Sequence, residues 1–394
     1  MAKRHFPDLS GSTSNMKGEA AYAVLAKAQE LERKGKRIIH LEIGEPDFQT
    51  PQNICRIGIK AIEQGRTKYT ATLGIKELRQ AIADYVTKTR GVKVNPQMVV
   101  VTPSAKTAIY LAMTAILGKG DEVIFPNPGF PVYENMVAFL GCKPRPVPIL
   151  EKNHFSFDLH AFEKALTKKT KLIILNSPSN PTGGVLPKED LATIAKLIKK
   201  TNAWVISDEI YSRIMYDNLP FHSFYSLPGV KERTILIDGF SKTYAMTGWR
   251  LGYFIMPERF MPSIENLLVN SIACTTTFVQ WAGIEALTGS QKEVLKMVRE
   301  FEKRRNFIVN GLNEIPGITC QMPKGAFYAF PNIKSFGISA KKMADYILEK
   351  AGVAVLPGTA FGSYGEGYLR FSYANSIENI RKALKNIKEV ISKL

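Results

Sequence analysis

The fold is decided by residues 239–253, Gly-Phe-Ser-Lys-Thr-Tyr-Ala-Met-Thr-Gly-Trp-Arg-Leu-Gly-Tyr, in which a lysine follows an apolar segment. The apolar residues at 234–239 predict a strand that runs into a polar turn, and residues 251–255 predict another strand after it. Lys242 is therefore expected just beyond the carboxyl end of a strand. In α/β proteins ligands bind at that edge of the sheet. The stretch thus predicts an α/β fold with a ligand site around Lys242.

Three side chains of this stretch suit a cofactor that carries an aldehyde and a phosphate. A lysine that is removed from water and surrounded by cations has a lowered pKa, and its amine can form a Schiff base. Arg250 follows eight residues later, and its planar guanidinium suits a phosphate. Ser241 offers a hydroxyl to the same phosphate. A lone Ser-Lys pair usually marks a surface turn, but the adjoining Thr-Gly-Trp-Arg favours a site at Lys242.

Two further segments carry groups that a pyridoxal ring needs. Asp208 follows the apolar residues 204–207, where an acidic residue is often no more than a helix N-cap. In a pyridoxal site such a carboxylate keeps the ring nitrogen protonated. Tyr211 and Asn180 can donate to the phenolic oxygen of the ring, and two donors there set the proton affinity of the neighbouring imine. The bond between Asn180 and Pro181 is also a candidate for the cis form.

The remaining candidates concern the phosphate and the substrate. Ser104, Ala105 and Lys106 lie between a predicted strand and a predicted helix, where free backbone N–H groups bind phosphate, although a simple capped helix explains the pattern equally well. Arg370 can clamp an α-carboxylate with two hydrogen bonds, although an arginine on a strand is more often a surface residue. Gly44 exposes backbone that a substrate can approach, and its alternative is a plain turn.

Short apolar segments alternate with amphipathic ones through the middle of the chain, which predicts an α/β fold with a mainly parallel sheet covered by helices on both faces. The predicted strands are residues 98–102, 122–125, 172–176, 204–207, 234–239 and 251–255, and the predicted helices are residues 77–88, 108–116 and 188–200. After about residue 290 the pattern changes to a long charged helix, 291–312, and short strands around 325–331 and 367–374, with helices at 340–351 and 377–394. We expect a large domain at 46–289 and a smaller α+β domain formed by 1–45, with a helix at about 19–34, and by 290–394.

Charge suggests nucleic acid as a partner, because 53 Lys and Arg against 35 Asp and Glu leave a formal net charge of +18. The lysines are nevertheless spread along the chain, and neither zinc-finger spacing nor an aromatic–basic RNA-binding motif accompanies them. We therefore expect no nucleic-acid partner, and a basic field can instead gather dicarboxylate substrates.

Membrane and secreted classes are not expected either. No apolar run has the length needed to cross a bilayer, and no apolar segment follows the basic residues near the first methionine, so no signal peptide is expected. The four cysteines, Cys55, Cys142, Cys274 and Cys320, form no CxxC pair. This spacing argues against a metal site and against a disulfide scaffold, and it fits a reducing cytoplasm.

Taken together, the motifs resemble the fold-type I pyridoxal-phosphate aminotransferases of class I/II, close to the bacterial and archaeal aspartate aminotransferase-like branch. The resemblance runs from about residue 15 to the C-terminus, and the motifs occur in the family's order and spacing. It implies pyridoxal 5′-phosphate as cofactor and Lys242 as the Schiff-base lysine, which also moves the proton between Cα and the cofactor. It further implies Asp208 at the pyridine nitrogen, Asn180 and Tyr211 at the phenolic oxygen, and Arg250 with residues 104–106 at the phosphate.

The resemblance also implies contacts that the residues alone do not indicate. Phe130 falls where the family stacks an aromatic ring on the cofactor. Tyr69 matches a tyrosine that reaches the phosphate of the neighbouring subunit, which implies a homodimer with shared active sites. Arg370 and Gly44 match substrate-binding positions, together with Asn180 and Phe130. Two positions depart from the pattern: Ala105 stands where many relatives have glycine, and Phe130 stands where several aspartate-acting relatives have tryptophan.

The expected activity is transfer of an amino group from an L-amino acid to a 2-oxo acid by a ping-pong Schiff-base mechanism. Aspartate, alanine, aromatic and other neutral donors all stay open, and 2-oxoglutarate is the expected acceptor. A β-carbon–sulfur lyase or an aminocyclopropane-carboxylate synthase on the same fold shares the same lysine, aspartate and arginine, because the cofactor carries the chemistry. A regulator that uses this fold as a sensor needs a helix-turn-helix domain, for which the resemblance leaves no room.

Overall fold

The computed structural model describes residues 10–18 and 20–394. The predicted helix at 19–34 therefore begins at Ala20 in the described chain, and residues 1–9 of the predicted smaller domain lie outside it. The α-helices are α1 (Gly11–Ser14), α2 (Ala20–Arg33), α3 (Gln52–Glu63), α4 (Lys76–Arg90), α5 (Ala105–Ile116), α6 (Pro131–Phe139), α7 (Leu159–Ala165), α8 (Lys188–Ile198), α9 (Met261–Val269), α10 (Thr277–Thr288), α11 (Lys292–Asn313), α12 (Ala340–Tyr346) and α13 (Ile377–Ile391).

The strands fall into one large sheet and two small ones. They are β1 (Ile39–His40), β2 (Val99–Thr102), β3 (Glu122–Asn127), β4 (Lys143–Leu150), β5 (Ser156–Phe157), β6 (Thr170–Asn176), β7 (Trp204–Asp208), β8 (Thr234–Gly239), β9 (Gly252–Ile255), β10 (Tyr328–Ala329), β11 (Val353–Ala354), β12 (Leu356–Pro357) and β13 (Leu369–Ser372). The six strands predicted between residues 98 and 255 all occur, as β2, β3, β6, β7, β8 and β9.

The large sheet has the strand order β2-β9-β8-β7-β6-β3-β4-β5. Strands β4, β3, β6, β7 and β8 are parallel to their neighbours in this order, whereas β9 and β5 run in the opposite direction. Successive residues of β6 contribute to different apolar clusters, because Leu172 and Ile174 pack with helices α5, α6 and α9 while Ile173 packs with α7 and α8. The predicted mainly parallel sheet with helices on both faces is confirmed.

Strand β4 was not predicted, because its sequence carries prolines at 144, 146 and 148. Proline lacks the N–H that a central strand must donate on both sides. Here β4 has β3 on one side and only the short β5 on the other, at its last two residues. The N–H of Lys143 donates to the carbonyl oxygen of Asp121, the residue before β3. The three prolines alternate along β4 with the residues whose N–H groups point toward β3. The strand is tolerated because the missing donors face the edge.

The carboxyl ends of the parallel strands place the candidate residues at one edge of the sheet. Strand β2 has the same direction as β8, since both pair antiparallel with β9 between them. The segments that follow β2, β3, β6, β7 and β8 therefore leave the sheet on the same side. Those segments carry the candidates Ser104, Phe130, Asn180, Asp208 and Lys242.

Outside the large sheet, the described residues form two small sheets: β10-β13-β12 is antiparallel, and β1 pairs parallel with β11. A single apolar cluster joins residues of α11, α12 and α13 to Ile210, Tyr211 and Ile214, which follow β7. This core crosses the expected boundary near residue 290, so the division into 46–289 and 1–45 with 290–394 stays a prediction. No helix in the described part of the chain is long and apolar enough to span a membrane.

Candidate active site

Lys242 lies three residues beyond β8, where its amine meets the segment that follows β1. Its Nζ donates to the carbonyl oxygen of Gly44 at 2.6 Å. Burial lowers the pKa of this amine to about 8, and the nearby positive charges of Arg370, Lys106 and Arg250 act in the same direction, whereas Glu45 opposes them. A share of the Lys242 amine is therefore uncharged near neutral pH and able to react as a nucleophile.

Asp208 is the last residue of β7 and is almost fully buried. Its Oδ2 accepts a hydrogen bond from the Tyr133 hydroxyl at 2.6 Å, and its Oδ1 accepts one from the N–H of Ile210 at 3.2 Å. Burial raises the pKa of the carboxyl to about 6, while these two hydrogen bonds lower it. The site thus holds a carboxylate that ionises close to neutral pH and that gains strongly from a cationic partner.

Tyr211 lies one turn beyond Asp208 and is also buried. Its hydroxyl hydrogen-bonds the Tyr328 hydroxyl at 2.7 Å, and the two rings meet edge to face with centroids 5.7 Å apart. Burial raises the pKa of Tyr211 well above its ordinary value, so the phenol stays protonated and keeps a proton to donate. A Cβ on Gly44 would overlap the Tyr328 hydroxyl, which explains why glycine stands there.

Arg370 lies on β13 and is 4% exposed. Its Nη1 donates to Asn180 Oδ1 at 3.1 Å, and its Nη2 donates to the carbonyl oxygen of Glu42. The guanidinium packs over the rings of Tyr328 and Phe361, with centroids 4.6 and 4.9 Å away. Contacts on its faces and edges hold the group in one orientation, as two-point recognition of a carboxylate requires. The Asn180–Pro181 bond is cis, as the sequence suggested.

Helix α5 begins directly after β2, and its first turn faces the same region. Ser104 is the N-cap, and its Oγ accepts from the N–H of Thr107 at 3.2 Å. The backbone at Gly252 packs so closely on Ser104 and Ala105 that a Cβ there would overlap them. Lys106 Nζ lies 5.6 Å from the ring centroid of Phe130, which joins this turn to the start of α6.

The structure brings most of the predicted residues into one region. Contacts or electrostatic coupling connect Gly44, Ser104, Ala105, Lys106, Phe130, Asn180, Asp208, Tyr211, Lys242, Arg250 and Arg370. Ser241 is buried next to Lys242, and Arg250 is exposed, with its Nη1 donating to the Thr247 carbonyl at 2.6 Å. Tyr69 is the exception, because its side chain is 89% exposed on the loop between α3 and α4.

Two residues of this region were missed by sequence reasoning. Tyr133 lies three residues after Phe130, within the first turn of α6, and its ring meets that of Phe130 edge to face at 5.7 Å. The spacing of three along a helix was a signal that could have placed both rings together. Tyr328 offered no local signal, because its contacts with Tyr211 and Gly44 join segments more than 100 residues apart.

Known proteins resemble the chain along almost its whole length. The aminotransferase class I and II family model matches residues 36–387. An aspartate aminotransferase of Pyrococcus horikoshii is 41% identical over 371 residues, which make up 93% of this chain and 94% of that protein. An aromatic-amino-acid aminotransferase 2 of Thermococcus litoralis is 40% identical over 90% of this chain and 92% of its own. The crystal structure of an aspartate aminotransferase from Rhizobium meliloti has a TM-score of 0.95 at 32% identity, covering 99% of this chain and 100% of that one.

The family uses pyridoxal 5′-phosphate, and the groups around Lys242 fit that cofactor in kind. A lysine amine with a lowered pKa suits the aldehyde, and a buried carboxylate suits the ring nitrogen. The start of α5 suits a phosphate, and Gly252 lets β9 pack closely on that turn. The chain therefore belongs to the class I and II aminotransferases, enzymes of fold type I that depend on pyridoxal 5′-phosphate.

Proposed function

We propose that the chain transfers the amino group of an L-amino acid to a 2-oxo acid, with 2-oxoglutarate as the acceptor, and that both half-reactions use one site in a ping-pong sequence. The observation that carries this proposal is the amine of Lys242, which lies at the sheet edge with a pKa of about 8. It is coupled to Arg370, a buried cation that suits the carboxylate shared by amino acids and 2-oxo acids.

Pyridoxal phosphate, when bound, withdraws electrons from the substrate and weakens the C–H bond at Cα. Lys242 would hold the cofactor through its amine, and the same amine, when free, would move the proton at Cα. Its lowered pKa suits this work, since a base near neutrality is uncharged often enough to accept a proton. Asp208 keeps the ring nitrogen protonated, and a cation at that position would stabilise the buried carboxylate in return.

The other side chains orient the cofactor and the substrate. Tyr211 and Asn180 donate to the phenolic oxygen of the cofactor. The α5 start at residues 104–106 and Arg250 hold its phosphate, with Ser241 beside them, and Phe130 stacks on its ring. Arg370 binds the α-carboxylate, and Gly44 lets the substrate approach the backbone. The support is that Arg370 hydrogen-bonds Asn180, so the residue proposed for the α-carboxylate lies beside a residue proposed for the cofactor.

The donor is proposed as a class rather than as one amino acid. An aspartate aminotransferase and an aromatic-amino-acid aminotransferase resemble the chain almost equally, at 41% and 40% identity. Phe130 has no indole N–H with which to bind a polar side chain of the donor. Aspartate, alanine, aromatic and other neutral amino acids are all candidates, and the net charge of +18 favours the capture of acidic ones.

A donor panel with absorbance detection tests the proposal. We expect the visible band of the bound cofactor to disappear when an amino donor is added and to return with 2-oxoglutarate, because the two half-reactions are separate. Lys242→Ala should lose turnover by several orders of magnitude and should bind the cofactor without the covalent link. Pyruvate and ammonia formed without any acceptor would instead identify a β-carbon–sulfur lyase. Unchanged turnover in Lys242→Ala would overturn the assignment.

We also propose that the enzyme is a homodimer with shared sites and acts in the cytoplasm. Tyr69 is 89% exposed, which suits a side chain that reaches the cofactor phosphate of a neighbouring subunit. The four cysteines, Cys55, Cys142, Cys274 and Cys320, are far apart in the sequence and form no CxxC pair, which suits a protein of a reducing compartment. Light scattering at micromolar concentration gives the assembly directly, and a monomer would exclude the shared site.

A further inference from the structure

The turn after β7 points its side chains in two directions. Asp208 and Tyr211 face the site, where they meet Tyr133 and Tyr328. Glu209 and Ser212, one position later in each case, face away and are buried at 1% and 4% exposure. Bonds to Glu209 and Ser212 therefore restrain the stretch of backbone that also carries Asp208 and Tyr211.

Both residues bind the same side chain, Arg90, the last residue of α4. Arg90 Nε donates to Glu209 Oε2 at 2.7 Å, and Nη2 donates to Ser212 Oγ at 2.8 Å. Nη1 donates to Thr89 Oγ1 at 2.9 Å, so all three nitrogens of the guanidinium have a partner. The Arg90 side chain is 2% exposed. A planar fork with this many bonds permits very little rotation.

Arg90 also connects this turn to the strand that leads to the lysine. Its Nη2 donates to Asp238 Oδ2 at 3.0 Å, and Asp238 lies on β8, four residues before Lys242. The Ser212 hydroxyl donates to the same carboxylate at 3.4 Å. One guanidinium therefore connects the ends of two adjacent strands, of which β7 ends at Asp208 and β8 leads into the turn with Lys242.

Stability alone is a weak reason for this arrangement. Burial of ions costs several kcal/mol each, so a buried ion pair often stabilises a protein no more than apolar side chains of the same volume. Burial raises the pKa of Asp238 to about 7 although Arg90 opposes the rise. The remaining oxygen of Glu209 accepts from the hydroxyls of Ser207 and Ser223, so the carboxylate is hydrogen-bonded on both sides. Such a network specifies one geometry better than an apolar cluster does.

We propose that Arg90 is a positioning residue of the active site, which holds Asp208 and Tyr211 in register with Lys242 through Glu209, Ser212 and Asp238. The inference rests on the function proposed above for Asp208 and Tyr211. Arg90 touches neither cofactor nor substrate in this role. It acts only through the turn and the strand that it joins.

The test compares Arg90→Lys with Arg305→Lys as a matched control. Arg305 is also 2% exposed, and it binds Asp217 through two nitrogens at 2.7 and 2.8 Å. Asp217 lies five residues beyond Ser212, so Arg305 binds the chain farther from Asp208 and Tyr211 than Arg90 does. Lysine keeps the positive charge at each position but lacks the planar guanidinium with its several N–H donors. We expect both variants to lose similar thermal stability, and only Arg90→Lys to change the site.

In Arg90→Lys we expect kcat to fall on the order of 10- to 100-fold, because small misplacements of catalytic groups have effects of that size. KM for the amino donor should change by no more than about threefold, since Arg370 is untouched. The absorbance of the bound cofactor changes with pH, and the midpoint of that change should shift by about 1 pH unit, because the contacts of Asp208 and Tyr211 with the cofactor set this midpoint. The cofactor's dissociation constant should rise as well, and it is measured without turnover.

Ser212→Ala provides a second variant should Arg90→Lys fail to fold, and it should shift the same midpoint in the same direction by a smaller amount. If the midpoint, kcat and cofactor affinity of every folded variant matched those of Arg305→Lys, the positioning role would be wrong. Asp208→Asn separates this failure from failure of the proposed function. An effect of Asp208→Asn with none of Arg90→Lys contradicts the positioning role alone, and no effect of Asp208→Asn contradicts the function of Asp208 itself.

Discussion

Burial acts on opposite charges at Lys242 and Asp208. It lowers the pKa of the amine to about 8 and raises that of the carboxyl to about 6, so that both groups titrate close to neutral pH. Each shift disfavours the charged form, and each is a cost to the folded protein without a ligand. Such pairs of shifted groups in one region are typical of active sites.

Asp208→Asn should make the cofactor-free protein more stable at pH 8 while removing activity. The folded protein holds the proton of Asp208 more tightly than the unfolded chain, whose value is about 3.8. Stability therefore falls as pH rises from about 3.8 to about 6, and the full cost persists above that. The difference between the folded and unfolded pKa values of Asp208 corresponds to about 3 kcal/mol of lost stability, and an asparagine, which carries no charge, avoids this cost. Urea unfolding of the cofactor-free protein at pH 8 and pH 4 measures the gain, most of which should be lost at pH 4.

The neighbouring Glu209 supplies the control for this prediction. Glu209 is equally buried but is paired with Arg90 at 2.7 Å. Glu209→Gln leaves the guanidinium without this charge partner, so it should lower stability at pH 8. A loss of stability in Asp208→Asn of the same size would contradict the assigned cost of burying Asp208.

At the scale of elements, the close packing of β9 on the start of α5 sets the place proposed for the phosphate. Gly252 is the first residue of β9, and a Cβ on it would overlap the backbone of Ser104 and Ala105. The glycine in the sequence Arg-Leu-Gly-Tyr is thus required by a neighbouring element rather than by its own turn.

Gly252→Ala should weaken cofactor binding by pushing the first turn of α5 away from the sheet. Overpacking of this kind costs about 1–3 kcal/mol of stability, and we expect the cofactor's dissociation constant to rise about tenfold or more. Fluorescence titration and thermal unfolding measure the two effects. Gly248→Ala is the matched control, because nothing lies within 4 Å of a Cβ at that exposed position. Equal cofactor affinity in the two variants would contradict the packing argument.

Element types were predictable wherever the local pattern and the tertiary context agreed. The strands β6, β7 and β8 are apolar and are followed by polar residues. Their existence, and the edge of the sheet at which the candidate residues lie, were therefore predictable from the sequence. Strand β4 was missed because its prolines argue against a strand, and only its place near the sheet edge makes them acceptable. An edge position is a property of the assembled sheet and leaves no local pattern.

At the scale of the whole molecule, exposure separates Tyr69 from the other aromatic residues predicted for the site. Tyr69 is 89% exposed, while the other aromatic candidates, Phe130 and Tyr211, are at least partly buried. The shared site proposed above would account for this difference, and it can be tested by mixing variants.

Hybrid dimers of Lys242→Ala and Tyr69→Ala subunits should recover activity at limiting cofactor. In such a dimer one site combines native Lys242 from one chain with native Tyr69 from the other, and the second site carries both changes. We expect the co-refolded mixture to exceed the mean of the two parent activities. Each parent refolded alone is the control. No gain over that mean would contradict the shared site, because Tyr69 would then act within its own chain.

The sequence by itself determined the alternation of strands and helices, the family, and the chemical identity of the groups around Lys242. These follow from short motifs whose residues lie close together along the chain, so that local periodicity and spacing carry the information. Only the tertiary structure decided that Tyr133 supports Asp208, that Tyr328 binds Tyr211, and that Arg90 ties two strand ends together. These contacts join segments 75 or more residues apart, and the packing that creates them is set by the whole chain at once.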